Sequence, residues 1–380
     1  MPAFPASTLR SLLLAATAAI ATMAAPAQAQ DARQTQQARQ AEQAPKARNI
    51  ILFLGDAGGV STINAAGILA HDRPQSLFIH GMPHVALSDT SALDKWVTDS
   101  AAGMTAIVTG QKTNNAMVSM VPGPDGKLTP VKSLLEYAEQ RGLSTGVVTN
   151  MPIWDATPAA NYAHVAARSN KDDIFAQMLK PRFGNGVDII LGKGRKDALA
   201  AFAASGTTAE KAFTTAGYTF GEDPALIATA PRTAVLRDSD FVPLPAVEAT
   251  IGQLARNPKG YFLMVEWDMH TDKPQAGLRH VIEMDDMIRR VSAMAGPDTL
   301  ILFTADHSFG LRMTGGKRDT PLARQYDPAQ PGIIGVEDSH TGEEVIVAAS
   351  GPGADQVHGF MPNTRLFDIM MSALGWKKDN

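Results

Sequence analysis

Several short stretches of this 380-residue chain carry residue types that could do chemistry together. The first is Val97-Thr98-Asp99-Ser100-Ala101-Ala102-Gly103, which reads as a loop delivering a serine to the first turn of a helix. Asp99 or Ser100 can cap that helix, and the small and apolar residues up to Thr109 can continue it. A serine there faces free backbone N–H groups and the positive end of the helix, a natural seat for a phosphoryl group. Read alone, the same pair is an N-cap and nothing more.

Three apolar runs end in acids: residues 49–56 in Gly55-Asp56, residues 261–266 in Glu266, and residues 300–305 in Asp306-His307. Asp268, His270 and Asp272 follow Glu266 closely. Asp155 and Thr157 flank one residue in a polar loop, so in an extended chain they point the same way. Carboxylates and imidazoles gathered in one place repel one another or compete for protons unless they bind cations, so their accumulation points to metal. Imidazole with carboxylate suits Zn²⁺, and an oxygen set with hydroxyls suits Mg²⁺. A serine beside two cations roughly 4 Å apart is an arrangement for in-line phosphoryl transfer.

The elements that must position these groups follow from the pattern. Continuous apolar runs suit strands buried on both faces of a parallel sheet, and ligands gather at the C-terminal ends of such strands. Further strands are expected at residues 85–88, 144–149, 187–192 and 344–349. Helices are expected from near Gly59, where Asp56 is alternatively a cap, and at 131–140, 276–294 and 364–374. Pro158 opens a helix carrying His164 and Arg168. Residues 196–242 read as a peripheral excursion without a catalytic constellation, and 311–336 as a long loop at an active-site rim. The alternation predicts an α/β fold, a mostly parallel central sheet sandwiched between helices.

Composition bounds the rest. Residues 1–29 read as a secretory signal peptide: Arg10 is the positive region, residues 12–25 are apolar, and Ala27-Gln28-Ala29 is the cleavage site. That predicts a periplasmic or secreted protein, with no membrane attachment after cleavage. Residues 30–47, rich in Gln, Ala and Arg, read as a disordered linker, and 48–380 as a single domain. A net charge of −4 gives no basic field for nucleic acid. With no cysteine, any metal must be held by Asp, Glu, His and hydroxyl oxygens.

From residue 49 onward the chain resembles the metal-dependent alkaline phosphatases. The matching segments, in family order, are Gly55-Asp56, Thr98-Asp99-Ser100-Ala101-Ala102, Asp155-Ala156-Thr157-Pro158-Ala159-Ala160, residues 164–168, Val265-Glu266, Ala305-Asp306-His307 and His340-Thr341-Gly342. The resemblance implies a secreted phosphate-monoester hydrolase with two Zn²⁺ and one Mg²⁺, acting on small molecules, and a homodimer. It makes Ser100 the nucleophile that becomes phosphoserine. Arg168 would clamp two phosphate oxygens, with Asp99 holding the arginine. Asp56 would bridge the Mg²⁺ site and a zinc site, Asp306 and His307 would serve the serine-side zinc, and His340 the other zinc. Thr157 and Glu266 would bind Mg²⁺, with Asp155 at the same site.

The chain departs from the family after Glu266, where the family has an Asp and a His separated by three residues. Here Glu266-Trp267-Asp268-Met269-His270-Thr271-Asp272 is shorter. The zinc pair is either Asp268 with His270, favoured because imidazole keeps the zinc preference, or Asp268 with Asp272. Alternative readings are a related metal-dependent phosphodiesterase or sulfatase, or a phosphate-binding protein without turnover. Sulfatases of this architecture need a modified Cys or Ser in their own motif, and this chain has no Cys. His71, His80, His84 and His280 read as surface or structural, His164 as packing or hydrogen bonding, and His358 as a neighbour of the site at most.

Overall fold

The computed structural model describes residues 46–325 and 333–379. The expected signal peptide and most of the linker lie outside them. Ala47, assigned to the linker by composition, is buried and donates its N–H to Ala373 O at 2.8 Å, so the folded unit includes it.

Fourteen strands are described: β1 Asn49–Asp56, β2 His84–Asp89, β3 Met120–Pro122, β4 Leu128–Pro130, β5 Ser144–Pro152, β6 Ile189–Lys193, β7 Thr219–Gly221, β8 Thr233–Arg237, β9 Tyr261–Asp268, β10 Thr299–Ala305, β11 Ser308–Met313, β12 Ile334–Thr341, β13 Val345–Ser350 and β14 Gly359–Pro362. Ten of them form one sheet, in the order β14-β2-β13-β10-β1-β9-β5-β6-β8-β7. Neighbours pair in parallel throughout, except that β13 runs against both β10 and β2.

β1 lies at the heart of this sheet, and all eight of its residues are buried. Its side chains alternate between two cores. Ile50, Leu52 and Leu54 pack on one face with the helices Ser100–Thr109 and Thr364–Ala373. Ile51 and Phe53 pack on the other with Val60–His71 and Pro274–Met294. A strand covered on both faces has no polar side to show, which is why its sequence is an unbroken apolar run.

Four expectations are corrected. Residues 196–242 contribute β7 and β8, which extend the sheet at one edge, so the excursion is part of the sheet. The expected rim loop 311–336 begins and ends in the antiparallel pair β11 and β12. The helix opened near Pro158 spans only Ala156–Ala159, and His164 and Arg168 lie in irregular chain beyond it. The helix expected at 131–140 starts at Leu134, where Ser133 and Glu136 form a reciprocal capping box.

Candidate active site

The chemistry-bearing residues converge at the C-terminal ends of four adjacent strands. Asp56 ends β1, Glu266 and Asp268 lie at the end of β9, and Asp306 and His307 follow β10. Asp155 and Thr157 lie just past β5. After Asp56 the backbone turns through Ala57, whose φ of 69° lies in the left-handed region. That turn aims Ala57 N–H at Asp306 Oδ1, 3.2 Å away, and ties the first two strand ends together. A non-glycine residue in this region stores strain, and such strain persists where the surrounding structure over-determines it.

The helix Ser100–Thr109 brings the hydroxyl. Asp99 caps it as the sequence suggests, its Oδ1 accepting from Ala102 N at 3.0 Å. All ten helix residues are buried. Gly103 explains how the helix comes so close: a Cβ there would stand 2.7 Å from Asp306 O. Ser100 Oγ consequently sits 3.2 Å from His307 Nε2 and 3.3 Å from each Asp56 oxygen.

Electrostatics here are those of charges crowded in a dry place. Burial opposes the charge on Asp56, yet its hydrogen bond with His307 and the charges of His307, His270 and Arg168 hold it below the usual carboxylate range. Burial raises Asp306 to about 6, aided by Asp56. For His307, burial favours the neutral ring, but Asp306 and Asp56 outweigh it and lift the group to about 9. His340 is held down by burial and by the His307 charge. Burial pushes Glu266 well above its ordinary range, and the charges of Asp56, Asp155 and Asp306 add to this.

Arg168 is built into the opposite wall. Its Nη2 donates to Asp155 Oδ1 at 2.6 Å and its Nη1 to Asp99 Oδ2 at 3.3 Å. Ala116, with φ 68°, gives its N–H to Asp99 Oδ2 and its carbonyl to Arg168 N–H. The guanidinium is thereby anchored on two carboxylates while its side chain stays 29% exposed, free to meet an anion. Asp155 also caps the short helix through Ala156 N.

The residues present fit metal ions. Two groups of ligand atoms lie within 4.8 Å of one another: His270, His307 and His340, and Asp56, Asp306 and His307. Asp306 Oδ2 and Thr157 Oγ1 are buried without a hydrogen-bond partner, oxygens whose lone pairs a cation would satisfy. Imidazole and carboxylate together suit zinc, whereas Thr157, Glu266 and Asp155 make an oxygen set.

The shortened segment places Asp268 and His270 together, His270 Nδ1 lying 2.8 Å from Asp268 Oδ1 and 3.7 Å from Asp56 Oδ1. Asp268 lies outside the two groups of clustered ligand atoms but touches one of their members. Asp272 is exposed and belongs to neither, so the reading that paired it with Asp268 loses its ground. Asp56 is not a helix cap; Gly59 occupies that position. His164 bonds Ser119 O and Glu136, a structural role as read, and His358 is exposed. Sequence reasoning missed Asn150 and His280, both of which bond the backbone of Asp268. Nothing in an asparagine near the end of a strand or a histidine in a helix distinguishes them from surface residues.

The sequence model of the family described as Alkaline phosphatase matches residues 47–221 and 234–321. The chain belongs to the alkaline phosphatase family. It is 29% identical to the alkaline phosphatase of Escherichia coli strain K12, over 87% of each protein. It is 30% identical to the streptomycin-6-phosphate phosphatase of Streptomyces griseus, over 87% of this chain and 91% of that protein. Among solved structures, the alkaline phosphatase of Thermus thermophilus superposes with a TM-score of 0.75 at 22% identity, covering 88% of this chain and 93% of the other. That of the Antarctic bacterium TAB5 gives 0.73 at 24%, covering 88% and 100%. Both share the alkaline phosphatase fold. The chain is thus a hydrolase of this superfamily, with a site suited to metal binding.

Proposed function

We propose that this protein hydrolyses phosphate monoesters through a phosphoserine formed on Ser100, with two zinc ions and one magnesium ion. The observation that carries the reading is the Ser100 hydroxyl at a helix N-terminus, within 3.2–3.3 Å of His307 and Asp56, both members of clustered ligand groups.

His270 and His340, joined by Asp268, would hold one zinc, and Asp56, Asp306 and His307 would hold the other, beside Ser100. Asp56 with Thr157, Glu266 and Asp155 would hold magnesium. Bound metals supply Lewis acidity to the ester and lower the pKa of serine and water. The chain's own groups do the rest. Arg168 receives two non-bridging phosphate oxygens in a bidentate grip, and its anchors on Asp99 and Asp155 fix the angle of approach. The first N–H groups of the serine helix face the incoming phosphoryl group. Ser100 Oγ, giving up its proton, attacks phosphorus as the leaving alkoxide departs on the far side and takes a proton from solvent to leave as the alcohol. Water then attacks the phosphoserine in line, the bond from phosphorus to Ser100 Oγ breaks, and a proton given up by the water returns Ser100 to its hydroxyl as inorganic phosphate leaves.

Arg168 suits the dianion of a monoester better than the single charge of a diester, which favours the monoesterase over a diesterase. An intact nucleophile speaks against a phosphate-binding protein without turnover. The leader-like residues 1–29 support export to the periplasm or beyond. The test pairs two substrates with one variant: the wild type should cleave an aryl phosphate monoester far faster than an aryl diester, and Ser100→Ala should cleave neither at the wild-type rate. EDTA should abolish turnover, and Zn²⁺ with Mg²⁺ should restore it. Faster diester cleavage, or full turnover by Ser100→Ala, would overturn the reading.

A further inference from the structure

The segment in which this chain departs from its family is gripped from two sides. The N–H of Asp268 donates to Asn150 Oδ1 at 2.8 Å, and its carbonyl is 2.6 Å from His280 Nδ1. A carbonyl only accepts, so His280 carries a proton on Nδ1 and donates it. The next N–H, that of Met269, donates to Asp56 O at 2.7 Å. Three residues before His280, on the same face of the helix Pro274–Met294, Gly277 meets the following carbonyls. A Cβ at Gly277 would lie 2.3 Å from His270 O and 3.0 Å from Met269 O, so only glycine lets the helix approach this far. Asp268, so fixed, accepts from both the backbone N–H of His270 at 3.1 Å and its ring at 2.8 Å.

We propose that His280 is a positioning residue for the zinc pair Asp268 and His270, with Gly277 allowing its helix close enough to act. The short loop leaves few residues to set the direction of the two side chains. The helix that follows it supplies the missing constraint through the Asp268 carbonyl. This inference rests on the metal reading above. It differs from a role in folding because a ligand set must be held within about 0.5 Å to bind its ion well, whereas the fold tolerates more. Partners that orient metal ligands typically change affinity by about 10- to 100-fold.

The test uses metal-free full-length protein titrated with Zn²⁺ alone against a competing chelator, alongside the thermal melting of each metal-free variant. His280→Asn keeps a donor near the place of ring Nδ1, and His280→Gln puts one near the place of ring Nε2 instead. His280→Ala removes the donor. The expected result is zinc affinity near wild type in the Asn variant and about 10- to 100-fold lower in the Gln and Ala variants. Metal-free melting should be alike in the Asn and Gln forms. The Asn and Gln pair decides the matter even if the Ala variant fails to fold. Equal zinc affinity in the Asn and Gln variants would overturn the proposal, as would a zinc loss matched by an equal loss of metal-free stability. A wild type that binds no zinc would instead overturn the metal reading and this inference with it.

Discussion

Ser100 shows how one residue can satisfy both a structural and a chemical reading. Its neighbour Asp99 caps the helix, and the same cap holds Arg168 through its second oxygen, so capping and substrate recognition share one carboxylate. This makes the arginine's geometry the sensitive quantity. Arg168→Lys keeps the charge but loses the fork that bridges Asp99 and Asp155, and kcat/KM for an aryl monoester should fall by about tenfold or more. His307 yields a pH prediction. Its metal-free value of about 9 means that below this pH a proton competes with the metal for the ring. Zinc affinity of the metal-free protein should therefore climb, by up to about tenfold per pH unit, as pH rises towards 9, and level off above it. Titration with Zn²⁺ at several pH values checks the slope; an affinity flat in pH contradicts it. Ser100, Asp56, Asp306 and His307 were legible in sequence because each sits at the end of an element. His280 was not, because its role depends on a helix docking against a loop that sequence spacing does not describe.

At the scale of the element, close approach decides the site. The serine helix reaches Asp306 only because residue 103 has no side chain. Gly103→Ala should force helix and strand end apart, costing about 1–3 kcal/mol and lowering kcat through misplacement of Ser100. Denaturant unfolding and turnover, measured on the same sample, should both report the change. The apolar strands were the clearest elements in the sequence, since burial on both faces leaves an unbroken run. The rim was the least clear: β11 and β12 carry glycines and polar residues that read as loop, and only their mutual pairing makes them strands. His340, at the end of β12, was thus recognisable as a ligand candidate without its strand being visible. The segment of His164 and Arg168 is the reverse case, a helical reading undone because chain 160–170 is held by Val118, Ala116 and Gln177 instead.

For the molecule as a whole, the sheet concentrates charge at one edge and tolerates it elsewhere at a cost. Far from the strand ends that carry the site, Glu139 is buried on the helix Leu134–Arg141. Burial, with the charges of Glu136 and Asp188, lifts it to about 8. The folded protein then keeps a proton that the unfolded chain releases at the ordinary glutamate value. This contribution to stability is complete in mild acid and is lost as pH rises through about 8. Glu139→Gln should remove that loss and raise stability at pH 9 by on the order of 1–3 kcal/mol, with little gain at pH 5. Urea unfolding at the two pH values tests the sign. Sequence alternation made the mostly parallel α/β architecture legible, but not the reversal of β13 or the recruitment of β7 and β8. Those depend on which edge each strand finds, a choice made by packing.

The central claim is that Ser100 carries the phosphoryl group during turnover. Its most direct measurement is mass spectrometry of the protein quenched in acid while hydrolysing a monoester. A phosphoryl group on the peptide containing Ser100, formed within one turnover and lost when substrate is exhausted, is the predicted result. Steady turnover by the metal-replete protein with that peptide never modified would contradict it.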